Sequence, residues 1–120
     1  MTIDELARKI DASLCCPANP ADRTVSRYSA ADTMSSLIAH AHADTVLVTS
    51  LNNPQLGRVA ELMDAPAVCL VAGATPCPEL LAGAAASGTA VLVAAGDLAA
   101  TRARIAELLA EALREAPCSP

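Results

Sequence analysis

The chain is almost without aromatic side chains: its 120 residues include one tyrosine, Tyr28, and neither Phe nor Trp. Any core must therefore be built from Ala, Val, Leu and Ile, which makes it thin for a domain of this size. Basic residues are scarce as well, with Lys9 the only lysine, 8 Lys and Arg against 13 Asp and Glu, and a formal net charge of −5. With no Lys/Arg cluster and no stacking platform, nucleic-acid binding is not expected. Long apolar runs are also missing, since each is broken by Gly, Pro or charge well short of a membrane span. The 53% hydrophobic and 18% charged composition speaks against disorder. The expectation is one soluble domain over residues 1–113, with 114–120 as a C-terminal tail. The early acids of Met1-Thr2-Ile3-Asp4-Glu5 and the lack of an apolar export segment predict a cytoplasmic protein.

The usual chemical motifs are missing too. The five cysteines, Cys15, Cys16, Cys69, Cys77 and Cys118, form an odd set without C-x-x-C spacing, which fits neither a disulfide framework nor a zinc knuckle. His40 and His42 stand two residues apart and so face different ways, unlike the i, i+4 pair of a zinc helix. Nothing matches G-x-x-x-x-G-K-[ST], and no nucleophile comes with a base. A non-catalytic protein with no metal and no cofactor is the reading that follows.

What is present is periodicity. Thr2 and Glu5 form a capping box for a helix over about 3–12, carried by Ile3, Leu6, Ala7 and Ile10. A short strand is expected at Leu14-Cys15-Cys16, a loop at Pro17 to Pro20, and a brief strand from Thr24 to Tyr28. Ser29 then reads as the cap of a helix over about 30–42, with Met34, Leu37, Ile38 and Ala41 as its apolar stripe. Beyond that the pattern becomes regular. Thr45-Val46-Leu47-Val48, Ala67-Val68-Cys69-Leu70-Val71 and Ala90-Val91-Leu92-Val93 are continuous apolar runs, as strands covered on both faces require. Each is followed by a capped helix: Asn53 before Pro54, Thr75 before Pro76, and Asp97 before the last, with Ser87-Gly88 closing the middle one. Gly57 inside the first of these helices predicts close packing against a strand or a partner backbone.

The order βαβαβα implies an α/β domain with a mainly parallel sheet flanked by helices, and strand C-termini gathered along one edge. That edge collects Thr49, Ser50, Asn52, Asn53, Gly73, Thr75, Gly96 and Asp97, with Arg58 close enough to reach an anion there or to pair with Glu61 or Asp64. Open α/β sheets bind ligands beyond their strand C-termini. The same Asn, Thr and Asp side chains also serve as ordinary helix caps. Cys77, placed at the second position of its helix, reads first as a small packing residue, and otherwise as a thiol standing where the macrodipole favours a thiolate.

The run from Leu47 to Leu56, followed by Arg58-Val59-Ala60-Glu61-Leu62-Met63-Asp64, resembles the small stand-alone DRTGG-domain proteins. Val71-Ala72-Gly73-Ala74-Thr75-Pro76 and Asp32-Thr33-Met34-Ser35 continue the likeness, which covers most of residues 1–113. The Asp22-Arg23-Thr24 triplet matches the family name only by accident. The resemblance implies a regulatory or dimerising module, attached in other proteins to phosphotransacetylases and to pyrophosphatases with CBS domains. It is often labelled as related to HPr serine kinase, an activity that belongs to a P-loop domain this chain lacks. Stand-alone relatives tend to be encoded near iron hydrogenases. Relatives often carry basic residues around the glycine of the second strand-end loop, where this chain has Ala72 and Ala74, which turns the expectation toward a smaller neutral ligand or no ligand. Together these readings predict a homodimeric binding module for a small metabolite or a hydrogenase-related protein. The alternative is a thiol-based redox accessory of a hydrogenase or iron–sulfur system, acting through Cys77 or the Cys15-Cys16 pair.

Overall fold

In the computed structural model, which describes residues 2–16, 24–39 and 44–115, the three continuous apolar runs form the middle of a sheet. The strands are β1 (Ser13–Cys16), β2 (Arg27–Ala30), β3 (Thr45–Thr49), β4 (Ala67–Leu70) and β5 (Ala90–Val93). Their order across the sheet is β1-β5-β4-β3-β2. β2 to β5 run parallel, and β1 closes the far edge antiparallel to β5 with an irregularity between Leu14 and Cys16. The helices are α1 (Ile3–Lys9), α2 (Met34–Ala39), α3 (Pro54–Leu62), α4 (Pro78–Ser87) and α5 (Leu98–Glu115).

Continuous apolarity is explained by the layers. Val46, Val48, Ala67, Cys69, Ala90 and Leu92 pack with Ile3, Leu6 and Ile105, which belong to α1 and α5. The alternate residues Leu47, Val68 and Leu70 pack with Leu37, Leu56 and Leu80, from α2, α3 and α4. Each central strand thus has a helix layer on both sides, as its period-2 alternation demands. Burial pushes the Cys69 thiol up to about 12, with a backbone hydrogen bond from Ala94 opposing. This cysteine is therefore a core residue.

Several expected boundaries move, each for a physical reason. α1 stops at Lys9 instead of residue 12 because Asp11 turns left-handed at φ 56°. The second strand lies over Arg27–Ala30, not Thr24 to Tyr28, while Thr24 makes an isolated bridge to Thr2. Ser29 sits inside that strand and caps nothing, since its hydroxyl donates to the carbonyl of Leu37 at 2.9 Å. α2 accordingly begins at Met34, and the expected continuation through 40–42, with His40 and His42, lies outside the described residues. α4 begins at Pro78, two residues later than Thr75-Pro76 predicts. Pro78 disfavours helical backbone at Cys77, which is extended at φ −69° and ψ 148° and serves as an N-cap without a side-chain bond. Gly57 packs against a helix, not a strand: a Cβ there would stand 3.5 Å from Leu80 Cδ1 and 3.7 Å from the Leu80 carbonyl oxygen of α4. Among the described residues no helix is long and apolar enough to cross a membrane.

Candidate functional site

Four parallel strands end on one side of the sheet, and the loops that leave β3, β4 and β5 are tied to each other. Asn52, after β3, donates from Nδ2 to the Thr75 carbonyl at 2.6 Å and accepts from the Cys77 N–H through Oδ1 at 2.9 Å. Both ends of its amide therefore clamp the β4–α4 loop. That loop is held from its other side as well, because the N–H groups of Ala72 and Gly73 donate to the carbonyls of Gly96 and Ala94 at 2.7 and 2.9 Å. Ala72 and Gly73 make this turn in left-handed backbone, at φ 57° and 63°.

Most of the predicted rim residues are occupied in holding the rim together. Thr49 is buried and accepts the Leu51 N–H at 3.0 Å. Asn53 caps α3 by accepting from Leu56 N–H at 3.1 Å, and Asp97 caps α5 by accepting from Ala100 N–H at 2.8 Å. The carbonyl of Gly96 takes the Thr101 hydroxyl as well as the Ala72 amide. Ser50 and Arg58 are exposed, and no ion pair of Arg58 with Glu61 or Asp64 occurs among the described residues.

Gly73 and Thr75 have a different setting. They border an open cavity of about 380 Å³ whose other lining includes Asp11, Ser13, Cys15 and Val93, a volume at the small end of ligand sites. Thr49, Ser50, Asn52, Asn53, Arg58, Gly96 and Asp97 do not line it. Asp11, Ser13 and Cys15 are absent from the predicted rim because they arrive with β1. An antiparallel strand beside β5 leaves no local trace beyond the short run at Leu14-Cys15-Cys16. Cys15 is an exposed free thiol, and Cys77 is half-buried. Among the described residues the cavity wall carries one carboxylate, Asp11, and no basic residue. A polyphosphate would meet repulsion from Asp11 with no cation among the described lining residues to offset it, whereas a neutral ligand would meet hydroxyls, a thiol and backbone groups.

Neither a family model nor a curated protein matches the chain. Among solved structures it is similar to the CBS and DRTGG domains of the regulatory region of Clostridium perfringens pyrophosphatase, crystallised with the activator diadenosine tetraphosphate. The superposition has a TM-score of 0.67 at 13% identity and covers 87% of this chain and 45% of that one. This is a likeness of fold, and it supports the DRTGG-like architecture.

Proposed function

We propose that the chain is a non-catalytic regulatory module, working as a homodimer, which binds a small uncharged metabolite at its strand-end rim. The observation that carries this reading is the cavity between the β4–α4 loop and β1, where Gly73 and Thr75 face Ser13 and Cys15. The Asn52 clamp and the Ala72 and Gly73 amide bonds hold one wall of it in place before any ligand arrives, which lowers the ordering cost of binding. The structural neighbour is a regulatory region crystallised with a nucleotide activator, and this supports a ligand-responsive role. The charge at this chain's rim favours a neutral molecule over a phosphate-rich one.

The test is thermal unfolding with uncharged nucleosides and with diadenosine tetraphosphate as probes, for the parent chain and for Cys15→Leu, which fills the cavity. Ligand at about a hundredfold excess over Kd should stabilise the parent by about 2.7 kcal/mol, and the shift should vanish in Cys15→Leu. Uniform failure of the nucleosides would move the reading to a protein partner. The redox alternative has one observation in its favour, the exposed Cys15 thiol at this same cavity. Cys15→Ser separates the two, since it retains the room and removes the thiol. Light scattering checks the dimer.

A further inference from the structure

The opposite edge of the sheet has a second cavity, of about 430 Å³, lined by Tyr28, Ser29, Ala30, Ser36, Ala39 and Arg102. β2 is the edge strand there, and the cavity wraps around it. Ser36 and Ala39 come from α2 on one face of the sheet and Arg102 from α5 on the other. Since Ser29 points toward α2 and bonds Leu37, alternation places the Tyr28 side chain on the α5 face with Arg102.

Three chemical features meet at this edge. Tyr28, the only aromatic residue of the chain, lies outside the core and is 37% exposed. Arg102 has no hydrogen-bond or ion-pair partner among the described residues. The neighbouring guanidinium of Arg27 is already engaged, 3.4 Å from Asp44. The third feature is backbone. Arg27 and Ala31 donate their N–H groups inward to Asp44 and Val48, so the alternation of a parallel ladder turns those of Tyr28 and Ala30 to the open side.

We propose that this cavity binds a small planar aromatic anion, a single ring bearing a carboxylate or a phosphate. The ring lies against Tyr28, the anion is held by Arg102, and the Ser36 hydroxyl and the strand-edge amides supply further hydrogen bonds. The volume suits one ring with its substituent, and the Arg102 guanidinium, unpaired among the described residues, supplies the local attraction that an anion needs against the chain's net charge of −5. This site is separate from the rim and does not depend on the rim's reading.

Because Tyr28 is the sole aromatic, its fluorescence reports on this cavity alone. Titration with benzoate and with phenyl phosphate, which distinguishes the two anions, should change it saturably. Arg102→Gln should weaken the better of the two about tenfold, with Arg102→Lys intermediate and far-UV circular dichroism unchanged. Cyclohexanecarboxylate, an anion without the flat ring, should bind several-fold more weakly, and benzamidine, a ring with a cation, should not bind. In Tyr28→Leu, calorimetry in place of fluorescence should show a several-fold loss. The proposal is overturned if neither aromatic anion gives a saturable change, if benzamidine matches them, or if Arg102→Gln binds like the parent. It is equally overturned if only an acidic extended peptide binds with Arg102 dependence, which would assign the edge to strand addition. None of these variants touches the rim, so the two sites succeed or fail independently.

Discussion

β3, β4 and most of β5 are buried along both faces, whereas β2 is exposed at Arg27 and Tyr28 and β1 at Ser13, Leu14 and Cys15. The same sheet thus contains strands whose identity is set by burial and strands whose identity is set by what they pair with. In the middle, the apolar side chains pack on both faces against the helices. At the edges, position depends on single polar contacts, such as the bond from Ser29 to Leu37 and the pairing of Arg27 with Asp44. The edges are also where the two candidate ligand cavities lie, one beside β1 and one around β2. Burial makes the scaffold, and the lightly packed margins leave room for ligands.

The largest effect that could break this contrast is a cavity mutation. Leu70→Ala, at a fully buried position of β4, should cost about 2–5 kcal/mol by urea unfolding. Leu14→Ala in β1, where the side chain is 39% exposed, should cost about 1 kcal/mol or less. Equal losses would mean that β1 is as firmly built into the core as β4, and the division between middle and margin would fail.

The same division explains what could be read from the sequence. Thr45 to Val48, Ala67 to Val71 and Ala90 to Val93 are legible because strands covered on both faces need unbroken apolar runs, and the Asn53, Asp97 and Gly88 caps carry their own chemical signatures. β2 was obscured by its polar composition: Ser29 in a strand looks like a helix cap until its hydroxyl is seen to reach Leu37. The start of α4 was legible in principle, since Pro78 disfavours helical backbone at Cys77 and so a helix beginning at Pro76. The rim is a mixed case. Its residues were identifiable from the topology, but the sequence could not show that Asn52 and the Ala72 and Gly73 amides satisfy one another. Nor could it show that β1 brings Asp11, Ser13 and Cys15 to Gly73 and Thr75. Strand order is a long-range property, and no local pattern encodes it.

A smaller effect sharpens the picture of the central rim. Asn52→Ala removes two hydrogen bonds between loops and should cost about 1–2 kcal/mol. Its signature is local: the Cys77 amide, which donates to Asn52 Oδ1, should exchange with solvent faster, while amides of the β2 edge retain the parent rate. Unchanged protection at Cys77 would show that the β4–α4 loop is held without the clamp, and that the rim is no more preorganised than the margins.

The smallest effect has the opposite sign. Ala72 adopts left-handed backbone at φ 57° immediately before Gly73 at 63°, a conformation costing a β-carbon roughly 1–2 kcal/mol. Ala72→Gly removes that strain but gives the unfolded chain more freedom, an opposing term of about 0.4–1 kcal/mol. The net should be a stabilisation of about 0.5 kcal/mol, read as a small rise in the urea midpoint with unchanged slope. Asp11 beside β1 adopts a similar φ of 56°, yet Asp tolerates this region better than Ala. Asp11→Gly should therefore gain nothing or lose slightly. A gain at Asp11 as large as that at Ala72 would place comparable strain at the margin, and the strained turn would cease to be a feature of the central rim.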